Sequence, residues 1–251
     1  MGPALRLPLC GLILGIPLTA AAWCEPPRKL EPVATDDFRT GLARWRLEAE
    51  DARAAVTAAN GVLDIATPAG LSLWWREPLS GDYAIRFTAV ALPAPASAGE
   101  HAGRISDLNM FWNALEADGS EPYPRSGRFG AYDTLPTYYV GFGANANATT
   151  RLRHYDGSQR RLLTGFADGP IAEPIEQPMT PQTRLQRGKP LTVEIVSRHP
   201  TPDNAVHLRW RAGSNELFTR ADPNPRLHGY FALRTTASRL QIRDFQILQC
   251  Q

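Results

Sequence analysis

Short runs of alternating apolar and polar residues recur along the chain, each bounded by Gly, Pro, Asn or Asp. "YAIRFTAV" places Tyr83, Ile85, Phe87 and Ala89 on one face, and "LTVEIVS" alternates Leu191, Val193 and Ile195 with Thr192 and Glu194. "VHLRWR" alternates Val206, Leu208 and Trp210 with His207, Arg209 and Arg211. A period of two is the side-chain period of a β-strand with one buried face. In "RLQIRDFQIL", Leu240 and Ile242 keep the period and Phe245 arrives one residue late. A β-bulge around Arg243 and Asp244 restores the register. No long stretch carries a 3.6-residue period. The pattern predicts an all-β fold, a two-sheet antiparallel sandwich of the jelly-roll kind.

Two loops break the pattern, "ALPAPASAGEHAG" and the four-proline run "FADGPIAEPIEQPMTPQ". Neither divides the chain, because each side alone has too few strands to close a core, and no internal repeat is present. One domain over residues 23–251 is expected. Residues 1–22 read as a signal peptide, with Arg6 as the positive region, "LPLCGLILGIPL" as the apolar run and Ala20 to Ala22 as the cleavage site. The apolar run is too short and too broken by Pro and Gly to span a membrane. Trp23 before Cys24 argues against a lipidated cysteine. An exported protein, periplasmic or extracellular, with no membrane attachment after cleavage is the expectation.

Cysteine usage agrees. Cys10 leaves with the leader, so Cys24 and Cys250 remain near the two ends and are expected to form a disulfide. That bond requires the first and last segments to lie side by side. Charge narrows the partners. Lys and Arg number 27 against 25 acids, and loss of Arg6 lowers the formal net charge from +2 to +1. A chain this close to neutral is no general polyanion binder, which argues against nucleic acid. Arginines nevertheless cluster between Arg125 and Arg161, which suits a small anionic ligand.

Candidate chemistry concentrates between Arg104 and Tyr155. In "SDLNMFW", Asp107 and Asn109 share one face while Leu108, Met110 and Trp112 share the other. In "TYYVGFGAN", Tyr138, Val140 and Phe142 form an apolar face, with Tyr139, Gly141 and Gly143 opposite. "TTRLRHYDG" puts Arg151, Arg153 and Tyr155 in file and turns Leu152 and His154 away. In one sheet these strands present a concave groove holding Asp107, Asn109, Tyr139, Arg151, Arg153 and Tyr155. Arg125, Arg128 and Tyr132 stand at its rim, and Asn145 and Asn147 lie beyond.

Guanidinium groups bind carboxylates in two-pronged fashion, amides bind hydroxyls, and aromatic rings stack on pyranose faces. The set therefore fits a poly- or oligosaccharide bearing uronates. In an elimination reaction Arg128, Arg151 and Arg153 would neutralise the carboxylate and Tyr139 or Tyr132 would move the proton. Each residue also has a plain structural role open to it. Asp107 suits a partner for a nearby arginine, Asn145 and Asn147 suit left-handed turns, Arg151 and Arg153 suit a solvated strand face, and His154 suits the core side. The histidines show no metal-ligand spacing, and neither a metal nor a cofactor is called for. A two-carboxylate hydrolase finds few acids near the groove.

"SDLNMFWNA", "RSGRFGAYDTLPTYYVGFGANANATTRLRHYDG" and "GYFALRTTASRLQIRDFQI" resemble an uncharacterised family of secreted bacterial concanavalin A-like jelly-roll proteins. The resemblance runs from about Phe38 to Ile247. It implies a lectin/glucanase-type sandwich in the context of polysaccharide degradation, and no particular reaction. A looser likeness is to jelly-roll alginate lyases, with Arg128 or Arg151, Asn109 or Asn147, His154 and Tyr139 in their groove roles; the signature strands of those lyases are absent. The expectation is an exported protein acting on an acidic glycan by β-elimination or hydrolysis, or binding it without catalysis in the same groove.

Overall fold

The computed structural model describes Cys24 and residues 29–251; residues 1–22, expected to be a signal peptide, lie outside the described residues. Fourteen strands follow one another: β1 (Leu30–Asp36), β2 (Trp45–Ala49), β3 (Ala55–Ala59), β4 (Val62–Trp75), β5 (Tyr83–Leu92), β6 (Leu108–Ala114) and β7 (Thr137–Gly143), then β8 (Thr149–Tyr155), β9 (Arg160–Ala167), β10 (Glu176–Pro178), β11 (Pro190–Ser197), β12 (Leu208–Ala212), β13 (Asn215–Arg220) and β14 (Tyr230–Cys250).

The two longest strands hold the sandwich together. The first part of β14, Tyr230 to Arg234, pairs with β6, while Arg239 to Gln249 pairs with β5. On its other edge β14 runs beside β4 from Ala232 to Ile242. One layer is therefore β10-β9-β8-β7-β6, the start of β14, the end of β4, and β2. The other is β13-β12-β11-β5, the end of β14, the start of β4, and β3, with β1 on the last residues of β14. Both long strands change layer where the register slips between Thr236 and Ser238, and Ala237 there takes φ +43°. A slip of this kind bends a strand sharply enough to carry it from one sheet into the next.

The predicted alternation is realised. Tyr83, Ile85, Phe87 and Ala89 enter the core between the layers, as do Leu108, Met110 and Trp112, and Tyr138, Val140 and Phe142. The bulge lies between Arg243 and Gln246, with Asp244 at φ +54°, so that Phe245 packs against Trp45 and Trp75 at 4.9 and 5.1 Å between ring centres. Cys24 and Cys250 are joined, their Cα atoms 5.6 Å apart across a separation of 226 residues. Lys29 and Gln251 exchange backbone hydrogen bonds beside them, so the two ends of the domain lie together.

A second apolar cluster lies on the outer face of the β6-β7-β8 layer. Trp74, Phe111, Tyr139, Tyr155 and Ala232 point away from the main core and are roofed by Tyr132 and Leu135 of the 115–136 loop. The loop is therefore a lid packed across the end of this face, where the sequence suggested a rim.

Candidate functional site

Where that lid stops, the outer face opens into a pocket of about 240 Å³. Its lining comes from five places: Arg104 and Asp107 before β6, Asn109 on β6, Tyr139 on β7, Arg153 on β8, and Arg234 and Thr236 on β14, with Phe129 of the lid and the Ala144–Asn145 turn closing it. Strand periodicity explains the set, because Asn109, Tyr139, Arg153 and Arg234 all sit on the non-core face of neighbouring strands.

Three guanidinium groups face one carboxylate here. Asp107 is spoken for: its Oδ2 accepts from Arg104 Nη2 at 2.7 Å and Ser106 Oγ at 2.6 Å, and its Oδ1 accepts from Asn109 Nδ2 at 3.1 Å. Arg104 also donates to the carbonyls of Thr236 and Ala237. Arg234 is 1% exposed, donates to Ser72 Oγ and the Gly127 carbonyl, and lies 4.9 Å from the Phe129 ring centre. It has no carboxylate partner among the described residues.

Arg153 differs from both. Its side chain makes no hydrogen bond and no ion pair among the described residues, and partial burial pulls its pKa down from the ordinary guanidinium value. A desolvated cation without a partner costs folding free energy. Two neutral groups beside it are also unpartnered. Asn109 Oδ1 is buried without a donor, and the Tyr139 hydroxyl makes no protein hydrogen bond among the described residues. Gly141 keeps the space above them clear, since a Cβ there would sit 3.3 Å from both Asn109 Oδ1 and the Tyr139 ring. Beyond it Asn145, Ala146 and Asn147 all take positive φ, 54°, 57° and 66°, a strained turn at the pocket mouth.

A family model described as a domain of unknown function, DUF6250, matches residues 65–245, most of the sandwich and all of the pocket. The chain belongs to the DUF6250 family. A search of curated proteins found no match. Among solved structures, a Bacillus subtilis protein of unknown function with a galectin-like fold is similar at TM-score 0.65 and 14% identity, over 89% of this chain and 98% of that one. The CBM2 module of the evolved Dit of Lactobacillus casei BL23 phage J-1 is similar at 0.54 and 13%, over 89% and 97%. The exoplasmic/lumenal domain of VIP36, in a Ca²⁺/Man3GlcNAc-bound form, is similar at 0.51 and 10%, over 83% and 84%. At these identities the likeness is one of fold.

Of the residues singled out from sequence, the DUF6250 pocket gathers Asp107, Asn109, Tyr139, Asn145 and Arg153. The others lie elsewhere. Arg151 pairs with the buried Glu176 of β10, whose carboxyl this hydrogen bond holds below the usual range. Asn147 is tied to both backbone groups of Leu185, at 2.9 Å each. Arg125 binds Glu116 through two nitrogens, at 2.7 and 3.0 Å, and Arg128 is exposed on the lid. The Tyr132 hydroxyl is under the lid, donating to Glu48 at 2.6 Å. Tyr155 is buried between Phe111 and Tyr139, its hydroxyl pushed up to about 12 chiefly by burial. Arg104, Arg234, Thr236 and Phe129 were not foreseen. In "FALRTTA" the alternation that buries Phe231 and Leu233 puts Arg234 and Thr236 on the pocket side, which is the sequence signal for them. Among the described residues no group of three or more His, Cys, Asp or Glu side chains is placed to hold a metal ion.

His154 lies on the core side of β8, its ring 5.0 Å from that of Tyr138. Tyr138 Oη lies 3.0 Å from both His207 Nε2 and Asp222 Oδ2, and the Asp222 N–H donates to His207 Nδ1 at 3.2 Å. This ring of bonds uses a neutral His207 that is 1% exposed, and burial lowers the pKa of both His207 and His154. The unfolded chain then holds more protons than the folded one below the ordinary histidine pKa of about 6.5, so stability rises with pH through that window. We expect the urea midpoint to be flat above about pH 7 and to fall below about 6.5, His207 contributing a slope of at most about 1.4 kcal/mol per pH unit. Urea titrations at several pH values, with His207→Gln flattening the slope, check this.

Proposed function

We propose that this DUF6250 protein binds an acidic sugar in the Arg153 pocket, without breaking it. The single observation that carries the reading is the half-buried guanidinium of Arg153, without an ion-pair or hydrogen-bond partner among the described residues, set in the pocket beside two aromatic rings, Tyr139 and Phe129. A uronate supplies what these lack. Its carboxylate fits the guanidinium fork, and its apolar face stacks on a ring. Sandwiches of similar fold include one solved with a bound glycan and one described as a CBM2 module, which supports a sugar as the ligand.

Binding is favoured over elimination or hydrolysis by the state of the groups that would move protons. Burial pushes the Tyr139 hydroxyl far above its ordinary pKa, so it stays protonated and donates. Both oxygens of Asp107 are occupied, and Tyr132 and His154 lie outside the pocket. Among the described residues no second carboxylate lines the pocket for a two-acid hydrolysis. The Cys24–Cys250 disulfide, a bond that persists in oxidising compartments, supports export of the chain. Among the described residues no helix is long and apolar enough to cross a membrane.

The test is a panel of uronate-rich and neutral polysaccharides, followed for retention, for unsaturated-uronate absorbance and for new reducing ends. Retention by acidic polymers without either chemical signal is expected. Absorbance together with new ends would establish a lyase and return Tyr139 to a catalytic role. Tyr139→Phe separates the readings again, since it keeps the ring and removes one hydrogen bond. We expect about a 3- to 10-fold loss of affinity, the worth of a single neutral bond, measured by calorimetry.

A further inference from the structure

Resting on that reading, we infer that the pocket recognises the end of an acidic glycan chain, one terminal uronate residue, and not an internal run of the polymer. The lid residues and the pocket volume point to this together. Pockets for drug-sized ligands run from about 300 to 1,000 Å³, and this one, at about 240 Å³, is smaller. It is a short pocket, open at its mouth and lined on its other sides.

A longer subsite would have to continue along the outer face, and the lid has taken that ground. Phe111, Tyr132, Leu135 and Tyr155 are fully buried where the next sugar would lie. Sideways the lid backbone touches the sheet: a Cβ on Gly127, at φ +81°, would meet the Glu48 carbonyl at 2.7 Å and the Glu50 nitrogen at 2.8 Å. No chain passes between them. At the opposite end Arg104 is bonded to the carbonyls of Thr236 and Ala237, and Ala146 N–H donates to Ser106 Oγ at 3.1 Å, closing the turn beside it. A polymer cannot thread a pocket closed along the sheet in both directions, but a chain end can enter from its mouth.

Calorimetric titration with galacturonate, glucuronate, mannuronate and guluronate, each from monomer to hexamer, tests the inference. In the series that binds, Kd should change by less than about threefold from dimer to hexamer. At fixed mass, a partly depolymerised polyuronate should compete better in proportion to its number of chain ends. Affinity that climbs about threefold or more from dimer to hexamer would overturn chain-end recognition. In that case loss of binding in Arg153→Ala would leave the acidic-sugar reading standing. If no uronate of any length binds, the acidic-sugar reading itself falls, and this inference with it.

Discussion

Arg153→Ala should abolish most of the affinity for an acidic saccharide while leaving the fold as stable as before or more so. A charge-assisted hydrogen-bonded contact is worth about 2–3 kcal/mol, which is roughly a 30- to 150-fold increase in Kd. The stability half of the expectation is the more telling. Arg153 has no side-chain partner among the described residues and is half-buried, so its removal forfeits no bond and relieves a partly desolvated charge. Calorimetric Kd and the thermal midpoint, measured on one sample, check both halves. Arg151→Ala makes the contrast. It stands two residues away on the same face of β8, yet it neutralises Glu176, which is 4% exposed and also accepts the Ala172 N–H at 3.0 Å. Losing it strands a buried carboxylate, so stability should drop by about 3 kcal/mol with little change in affinity. If Arg153→Ala lowers the midpoint as Arg151→Ala does, Arg153 is a structural residue and the binding reading loses its main support.

That contrast marks what the sequence could tell. A period of two placed both arginines and Tyr155 on one face and His154 on the other, and the strands follow it. The same rule set out Tyr139 opposite Tyr138, Asn109 opposite Met110, and the bulge that returns Phe245 to the core. Periodicity says which way a side chain points, and it is silent on what arrives there from far along the chain. Glu176 comes from a proline-rich run that reads only as loop, and it takes Arg151 away from any ligand. Tyr132 and Leu135 come from a loop whose glycines and prolines announce a turn but not the face it covers. Arg234 is missed for the opposite reason: it sits in a strand that reads as core on one face, and the second face becomes a site only because β14 lies beside β6. The pocket is a product of these long-range meetings, and the sequence shows its parts without their assembly.

Glu48→Ala should have the largest effect on stability of any single change near the site, about 3–5 kcal/mol, because one carboxylate fastens the lid. Glu48 is 4% exposed on β2, and its Oε2 accepts from Tyr132 Oη at 2.6 Å and from Trp74 Nε1 at 3.0 Å. Its Oε1 faces Arg46 Nε at 3.5 Å in a charge contact without a hydrogen bond. Alanine would leave the tyrosine and tryptophan donors buried and unpaired, and would leave a void beneath the lid. Glu48→Gln should cost only about 1–2 kcal/mol, since one amide oxygen accepts both donors and only the contact with Arg46 is lost. The difference between the two substitutions, read from urea midpoints, isolates the clamp from the charge. Because the lid carries Phe129 and the Gly127 carbonyl that Arg234 grips, loosening it should also make residues 115–136 the first site of proteolytic cleavage and weaken uronate binding in protein that is still folded. Unchanged proteolysis together with a cost below about 1 kcal/mol would show that the lid is held by its aromatic packing alone, with Glu48 a bystander.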